Sequence, residues 1–266
     1  MKCIKHDLGG DPRNIEIVAL ADLHLGSPKC NIAKIKERIN YIASSPNRYA
    51  VLLGDIINNS TKTSVGDTYE EELSPMEQMK LAVSLLTPIK DKILGICNGN
   101  HERRTYKEGT DLGWFLATAL DCEDKYDAVG CLLFIRFGKC FSPKGGVNHE
   151  TRKLIYTMYI THGDGASGRT VGGKANSLER RGQIVDADVI LTGHTHQTIV
   201  FPEATYRVDL RNSKVTPHTT VFVNVGSDLG YESYAELYGM KPSATLQPKV
   251  LLCGTKHEVT AWIDNI

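Results

Sequence analysis

The chain has 266 residues, 41% of them hydrophobic, which is enough to bury one large core and fits a single domain over 1–266. Lysine plus arginine and aspartate plus glutamate both number 31, so a net charge of zero removes any global pull toward nucleic acid or an anionic membrane and leaves only local basic clusters. Seven cysteines, an odd number with no Cys-x-x-Cys pair, predict reduced thiols in a cytoplasmic protein, and neither an early apolar leader nor an apolar run of membrane-spanning length is found.

Residues 15–20 read as a strand that delivers Asp22 and His24 at its carboxyl end. Ile32, Ile35, Ile39 and Ile42 recur at helical spacing and predict an amphipathic helix over 31–43. A second short apolar strand, 49–53, ends in Gly54-Asp55, and the mostly polar stretch 58–72 reads as a loop. Ser74-Pro75-Met76-Glu77 combines an N-cap, proline at the first helical position and a capping-box glutamate, with Met76, Met79, Val83 and Leu86 as the expected buried stripe.

A third strand, 93–97, runs into Gly99-Asn100-His101-Glu102, and 111–120 suggests a short helix in which Trp114 packs inward. Residues 131–137 and 154–160 read as strands around a turn at 142–146, the second ending in His162-Gly163. Strand 189–191 precedes Gly193-His194-Thr195-His196, and extended runs follow at 197–201, 205–210, 219–225, 249–253 and 258–263. Strand–helix alternation first and extended segments later predict a layered α/β sandwich with its ligands gathered where strands end.

Five patches therefore carry the chemistry: Asp22-Leu23-His24, Gly54-Asp55, Gly99-Asn100-His101-Glu102, His162-Gly163 and Gly193-His194-Thr195-His196. Each alone reads as a turn with a polar side chain, because Gly, Asn and Asp suit turns. Their conjunction is different. Together they offer oxygen and imidazole ligands without thiolate, which suits two neighbouring divalent cations doing phosphoryl chemistry.

In order and spelling the patches resemble the calcineurin-like metallophosphoesterase superfamily: D-x-H, G-D, G-N-H-[DE], H-G and G-H-x-H, from Asp22 to His196. The resemblance implies a four-layer α/β/β/α sandwich and a two-metal site. Carried over position by position, Asp22, His24 and His196 hold one metal, Asp55 bridges, and Asn100, His162 and His194 complete the second. Manganese is the expected metal, with iron, zinc, magnesium or nickel as alternatives. A bridging carboxylate keeps two dications roughly 3.5–4 Å apart, and the hydroxide between them attacks phosphorus in line. By the same resemblance His101 contacts the phosphate or leaving-group oxygen, as stabiliser or general acid.

Two departures bear on the substrate. Three residues after Asp55, where protein phosphatases of the superfamily carry aspartate and repair nucleases histidine, this chain has Asn58, whose amide is expected to accept from His101. The longer phosphatase string G-D-Y-V-D-R-G and the nuclease string G-D-L-F-H are both missing. Basic residues cluster beside the motifs: Arg103, Arg104 and Lys107, then Arg169, Lys174, Arg180 and Arg181 among glycines. Arginine forks match phosphate geometry, so Asn58, Arg103 and Arg169 are the expected substrate contacts. Stretches 58–74 and 163–181 are expected as lid or insertion loops. The resulting expectation is a metal-dependent phosphoesterase, and a phosphodiesterase acting on a nucleotide or nucleic acid. Its rivals are a phosphomonoesterase acting on a phosphoprotein or small ester, and a catalytically silent scaffold.

Overall fold

Along strand β2 (Asn14–Leu20) successive side chains leave on opposite faces. Both faces are buried: Ile15, Ile17 and Ala19 enter one apolar cluster, Val18 and Leu20 another. The same alternation recurs in β8 (Val189–Thr192), where Val189 and Leu191 face the first cluster and Ile190 a third. A strand covered on both sides needs a layer above and a layer below it. The computed structural model, which describes residues 1–9, 12–61, 71–141, 151–163, 170–231 and 246–265, supplies both.

The chain runs β1 (Lys2–Asp7), β2, α1 (Ile32–Ala43), β3 (Arg48–Leu52), α2 (Pro75–Leu86), β4 (Ile93–Cys97), α3 (Leu112–Ala119), β5 (Tyr126–Asp127), β6 (Gly130–Phe141), β7 (Thr151–Thr161), α4 (Val171–Glu179), β8, β9 (Ile199–Asp209), β10 (Lys214–Asn224), β11 (Gln247–Cys253) and β12 (Val259–Asp264). Two six-stranded sheets result, ordered β1-β6-β7-β8-β10-β9 and β12-β11-β2-β3-β4-β5. In the second, β2, β3 and β4 are parallel neighbours; in the first, β7, β8 and β10 are. The first cluster lies between the sheets, the second beneath α1, α2 and α3, and the third under α4, where Leu178 meets Tyr159, Ile190 and Phe222. This is the expected α/β/β/α sandwich. Parallel strands bring the ends of β2, β3, β4, β7 and β8 to one edge of the two sheets.

Several elements differ from the sequence expectation. Helix α2 keeps its Ser74 cap and capping box, but its buried face is Gln78, Ala82 and Leu86, and Met76 is 66% exposed. Helix α4 replaces loop over 171–179, starting at Thr170, whose hydroxyl accepts from Gly173 N. The extended runs 197–201 and 205–210 are one strand, because Pro202 lies on edge strand β9 where no ladder N–H is needed. Trp114 does not pack inward: it is 46% exposed, edge-to-face with exposed Phe115. The expected turn at 142–146 and most of the loop 58–72 lie outside the described residues. Among the described residues, no helix is long and apolar enough to cross a membrane.

Candidate metal centre

The turns that end the strands are built from backbone strain. Asp22, His24, Asp55, His194 and His196 all have positive φ, between 48° and 68°. Non-glycine residues held there cost about 1–3 kcal/mol each and persist only where the surroundings over-determine them. Here the surroundings do. Asp22 N donates to Gly54 O (3.1 Å) and His24 N to Asp55 O (3.0 Å), so the two loops continue the β2–β3 pairing past the sheet. Across the sandwich, His194 N donates to Asp22 Oδ2 at 2.9 Å. Gly54 has φ +85° and approaches Gly99 so closely that a Cβ would lie 2.0 Å from its nitrogen. A Cβ on Gly193 would meet Asp22 Oδ2 at 2.6 Å. Glycine at these turns is what lets the loops close.

Two groups of ligand atoms converge. Asp22, His24 and His196 form one, with His24 Nε2 3.2 Å from His196 Nε2 and Asp22 Oδ1 3.3 Å from His196 Nε2. Asp55, His162 and His194 form the other, with His162 Nε2 3.1 Å from His194 Nδ1. Asn100 Oδ1 joins it, 3.0 Å from His162 Nε2 and 2.8 Å from His194 Nδ1. Asp55 Oδ2 lies between the groups, 3.3 Å from His162 Nε2 and 4.0 Å from His24 Nε2. All seven sequence-derived ligand candidates are thus brought together.

The electrostatics are those of a crowded, largely buried site. Burial opposes charge on Asp55, but His162 and His101 hold its carboxyl well below the usual range. Burial also works against the His162 imidazolium, yet Asp55 lifts that ring to about 9. His24 is pushed well below the ordinary histidine range, by burial first and then by His101. Asp22 Oδ1 and His24 Nδ1 are buried without a hydrogen-bond partner. Facing imidazole nitrogens and an orphaned carboxylate oxygen lack protons enough to satisfy one another, whereas a cation takes all their lone pairs. The donor set fits borderline divalent metals.

Around the ligands stand residues whose roles the sequence did not disclose. Glu102 is buried and accepts from Asp55 N (2.8 Å), Ile56 N (2.8 Å) and Gly99 N (2.9 Å), tying the β3 turn to the β4 turn. His101 Nε2 lies 3.7 Å from Asp55 Oδ2. Its Nδ1 bonds the Asn58 carbonyl at 2.5 Å, not the Asn58 amide, which instead donates to Glu71 Oε1 at 2.7 Å. Burial first, and Arg104 beside it, keep His101 below the ordinary histidine range against the pull of Asp55. Arg103 donates to the Ala128 carbonyl at 2.7 Å. Lys174 donates to Thr195 O at 2.9 Å and, with Arg181, lines a small, half-open pocket beside Gly193 and Asn224. Arg169, Gly165 and Gly168 lie outside the described residues.

The calcineurin-like phosphoesterase family model matches residues 15–198. Among solved structures, a metallophosphoesterase from Sphaerobacter thermophilus is similar at 14% identity, over 94% of this chain and 87% of that one, with a TM-score of 0.43. Vps29 from Entamoeba histolytica complexed with zinc is similar at 11% identity, over 94% and 99%, with a TM-score of 0.37. A phosphatase from Mycoplasma pneumoniae is similar at 13% identity, over 95% and 94%, with a TM-score of 0.37. No curated protein matches the sequence.

Proposed function

The chain belongs to the calcineurin-like phosphoesterase family, a family of metal-dependent phosphoric ester hydrolases, and on that premise we propose a dinuclear phosphodiesterase acting on a nucleotide or nucleic acid. The observation that carries the two-metal part is Asp55 Oδ2, within 4.0 Å of imidazole nitrogens from both ligand groups. Asp22, His24 and His196 would hold one cation, Asn100, His162 and His194 the other, and Asp55 both. Manganese is the proposed metal. Bound there, the pair would act as Lewis acids and activate a water for in-line attack on phosphorus.

The protein's own part is orientation. Glu102 fixes the turn that presents Asp55, and strained turns aim the imidazoles before any substrate arrives, so little reorganisation remains at the moment of reaction. His101, with Nε2 3.7 Å from Asp55 Oδ2, would stand beside the bound phosphate. Exposed Trp114 and Phe115 on α3, which follows the 3₁₀ helix Glu102–Glu108, support a base-bearing substrate, since aromatic faces stack on bases. A cytoplasmic setting and one domain over the whole chain belong to the same proposal.

The test uses purified protein with Mn²⁺ and an aryl phosphodiester, cyclic nucleotides, single- and double-stranded DNA, and a phosphopeptide. Turnover of diesters is expected, and its abolition by EDTA. Asp55→Asn should lose both metal occupancy and rate. Full activity in EDTA overturns the mechanism. Cleavage of the aryl diester with DNA untouched rejects the nuclease version, and turnover of the phosphopeptide alone rejects the diester.

A further inference from the structure

One guanidinium stands at the mouth of the cluster. Arg104 Nη1 donates to the carbonyls of Asn58 (2.8 Å) and Asn59 (3.1 Å), and Nη2 donates to His101 Nε2 (2.9 Å). A carbonyl only accepts, so His101 carries its proton on Nδ1, the atom that meets Asn58 O. The neutral ring then turns a lone pair outward at Nε2, and Arg104 already fills it. In this arrangement His101 has no N–H left for a phosphoryl oxygen. Arg104 has: a guanidinium carries five N–H groups, and the three bonds above use at most three. The carboxylate that a protein phosphatase of the superfamily would place at position 58 is replaced here by a carbonyl acceptor, and the nearest added charge is positive.

We infer that Arg104 is a substrate-binding residue, donating from its guanidinium to a non-bridging oxygen of the scissile phosphate, with His101 and the Asn58–Asn59 carbonyls aiming it. This rests on the phosphoesterase reading of the cluster. The planar fork suits phosphate, and a fixed positive group gains most as negative charge grows on the phosphoryl oxygens. During hydrolysis the bond from phosphorus to the leaving oxygen breaks and one to the water oxygen forms. Arg104 contributes hydrogen bonds alone and keeps its protons. Asn59, held at φ 42° with its own Nδ2 donating to His101 O at 2.8 Å, ties Arg104 and His101 into one unit.

Two readouts test this, one independent of turnover. Calorimetric binding of inorganic phosphate to the Mn²⁺-loaded protein should weaken at least ~10-fold in Arg104→Ala, with metal content at the wild-type level. In kinetics on the aryl phosphodiester, kcat/KM should fall by ~10²-fold or more, the size of a lost oxyanion donor. Guanidinium ion in the buffer should restore part of it. Arg104→Lys, which keeps charge without the fork, should fall between. The double variant with His101→Ala should lose little more than the worse single one. Unchanged phosphate affinity in Arg104→Ala overturns the inference, as does a loss of rate that guanidinium never restores. A wild-type protein that hydrolyses none of the panel sinks the phosphoesterase reading instead, while the phosphate titration still reads Arg104 itself.

Discussion

Glu102 shows how much one buried side chain decides at the residue scale. Its two oxygens take four backbone N–H groups, those of Asp55, Ile56, Ile57 and Gly99, from two different turns, and those turns carry Asp55, Asn100 and His101. Burial first, then the nearby Asp55 carboxylate, push its carboxyl above the usual range, while its backbone bonds to Asp55 and Gly99 pull the other way. Glu102→Gln keeps the shape but turns an amide NH₂ toward one N–H group. A buried donor left without a partner costs about 1–3 kcal/mol. We therefore expect an unfolding free energy, read from denaturant titration, lowered by that amount, together with weaker metal uptake in the folded variant. An unchanged unfolding free energy would show these bonds to be incidental. The candidate ligands were legible in the sequence, because five polar patches after apolar runs stand in the order and spelling that resemble the family's motifs. Glu102, Arg104 and the Asn58 carbonyl were not. Adjacency puts Arg103 and Arg104 equally near the motif, and only the 3₁₀ path after His101 sends one to Ala128 and the other to the imidazole.

Helix α2 carries the lesson at the scale of elements. Its cap, start and length follow from Ser74-Pro75-Met76-Glu77, since a reciprocal cap and an N1 proline leave the chain few alternatives. Its packing face followed from hydrophobicity only in part: Met79, Val83 and Leu86 do pack against the second cluster, but Met76 points out and a polar residue takes the inward place. Gln78 is fully buried, its Oε1 accepting from Asn59 N at 2.8 Å and its Nε2 donating to Leu73 O at 2.8 Å. Through Asn59 the helix reaches His101 and Arg104, so the rotation that exposes Met76 also anchors the mouth of the site. Gln78→Leu should cost about 1–3 kcal/mol by stranding the Asn59 N–H and the Leu73 carbonyl. Met76→Lys should stay within about 0.5 kcal/mol of wild type. Equal losses in thermal or chemical unfolding would contradict the observed face. Helix α4 escaped sequence reading for a related reason: Gly172 and Gly173 weaken helix propensity, and burial of Leu178 against Tyr159 and Phe222 overrides it.

For the whole molecule the requirement is that two sheets hold still, since Asp22 and Asp55 come from one and His162, His194 and His196 from the other. At the edge away from these ligands, His257, between β11 and β12, reaches across the sandwich. Its ring stacks on Tyr156 of β7 at 4.4 Å, Nε2 donates to Ile155 O at 3.0 Å, and Asp188, just before β8, lies 3.6 Å away. Asp188 raises the imidazole above its ordinary range against the opposing effect of burial. Burial opposes the Asp188 carboxylate, but His257 and the Thr157 N–H hold its carboxyl below the usual range. His257 bound more tightly as a cation stabilises the fold fully below its unfolded pKa of about 6.5, and that contribution is lost as pH rises through the higher folded value. For Asp188 the contribution is present above about 3.9 and disappears as pH falls through the lower folded value. The clamp is therefore strongest between about pH 4 and 6.5. His218, 3.8 Å from Asp188 on its other side, is common to wild type and variant, as are the ligand histidines, so a difference measurement isolates His257. The gap in Tm between wild type and His257→Ala should be larger at pH 6 than at pH 8.5. A gap that does not change with pH would mean that stacking on Tyr156, and not the ion pair, is what joins the sheets there.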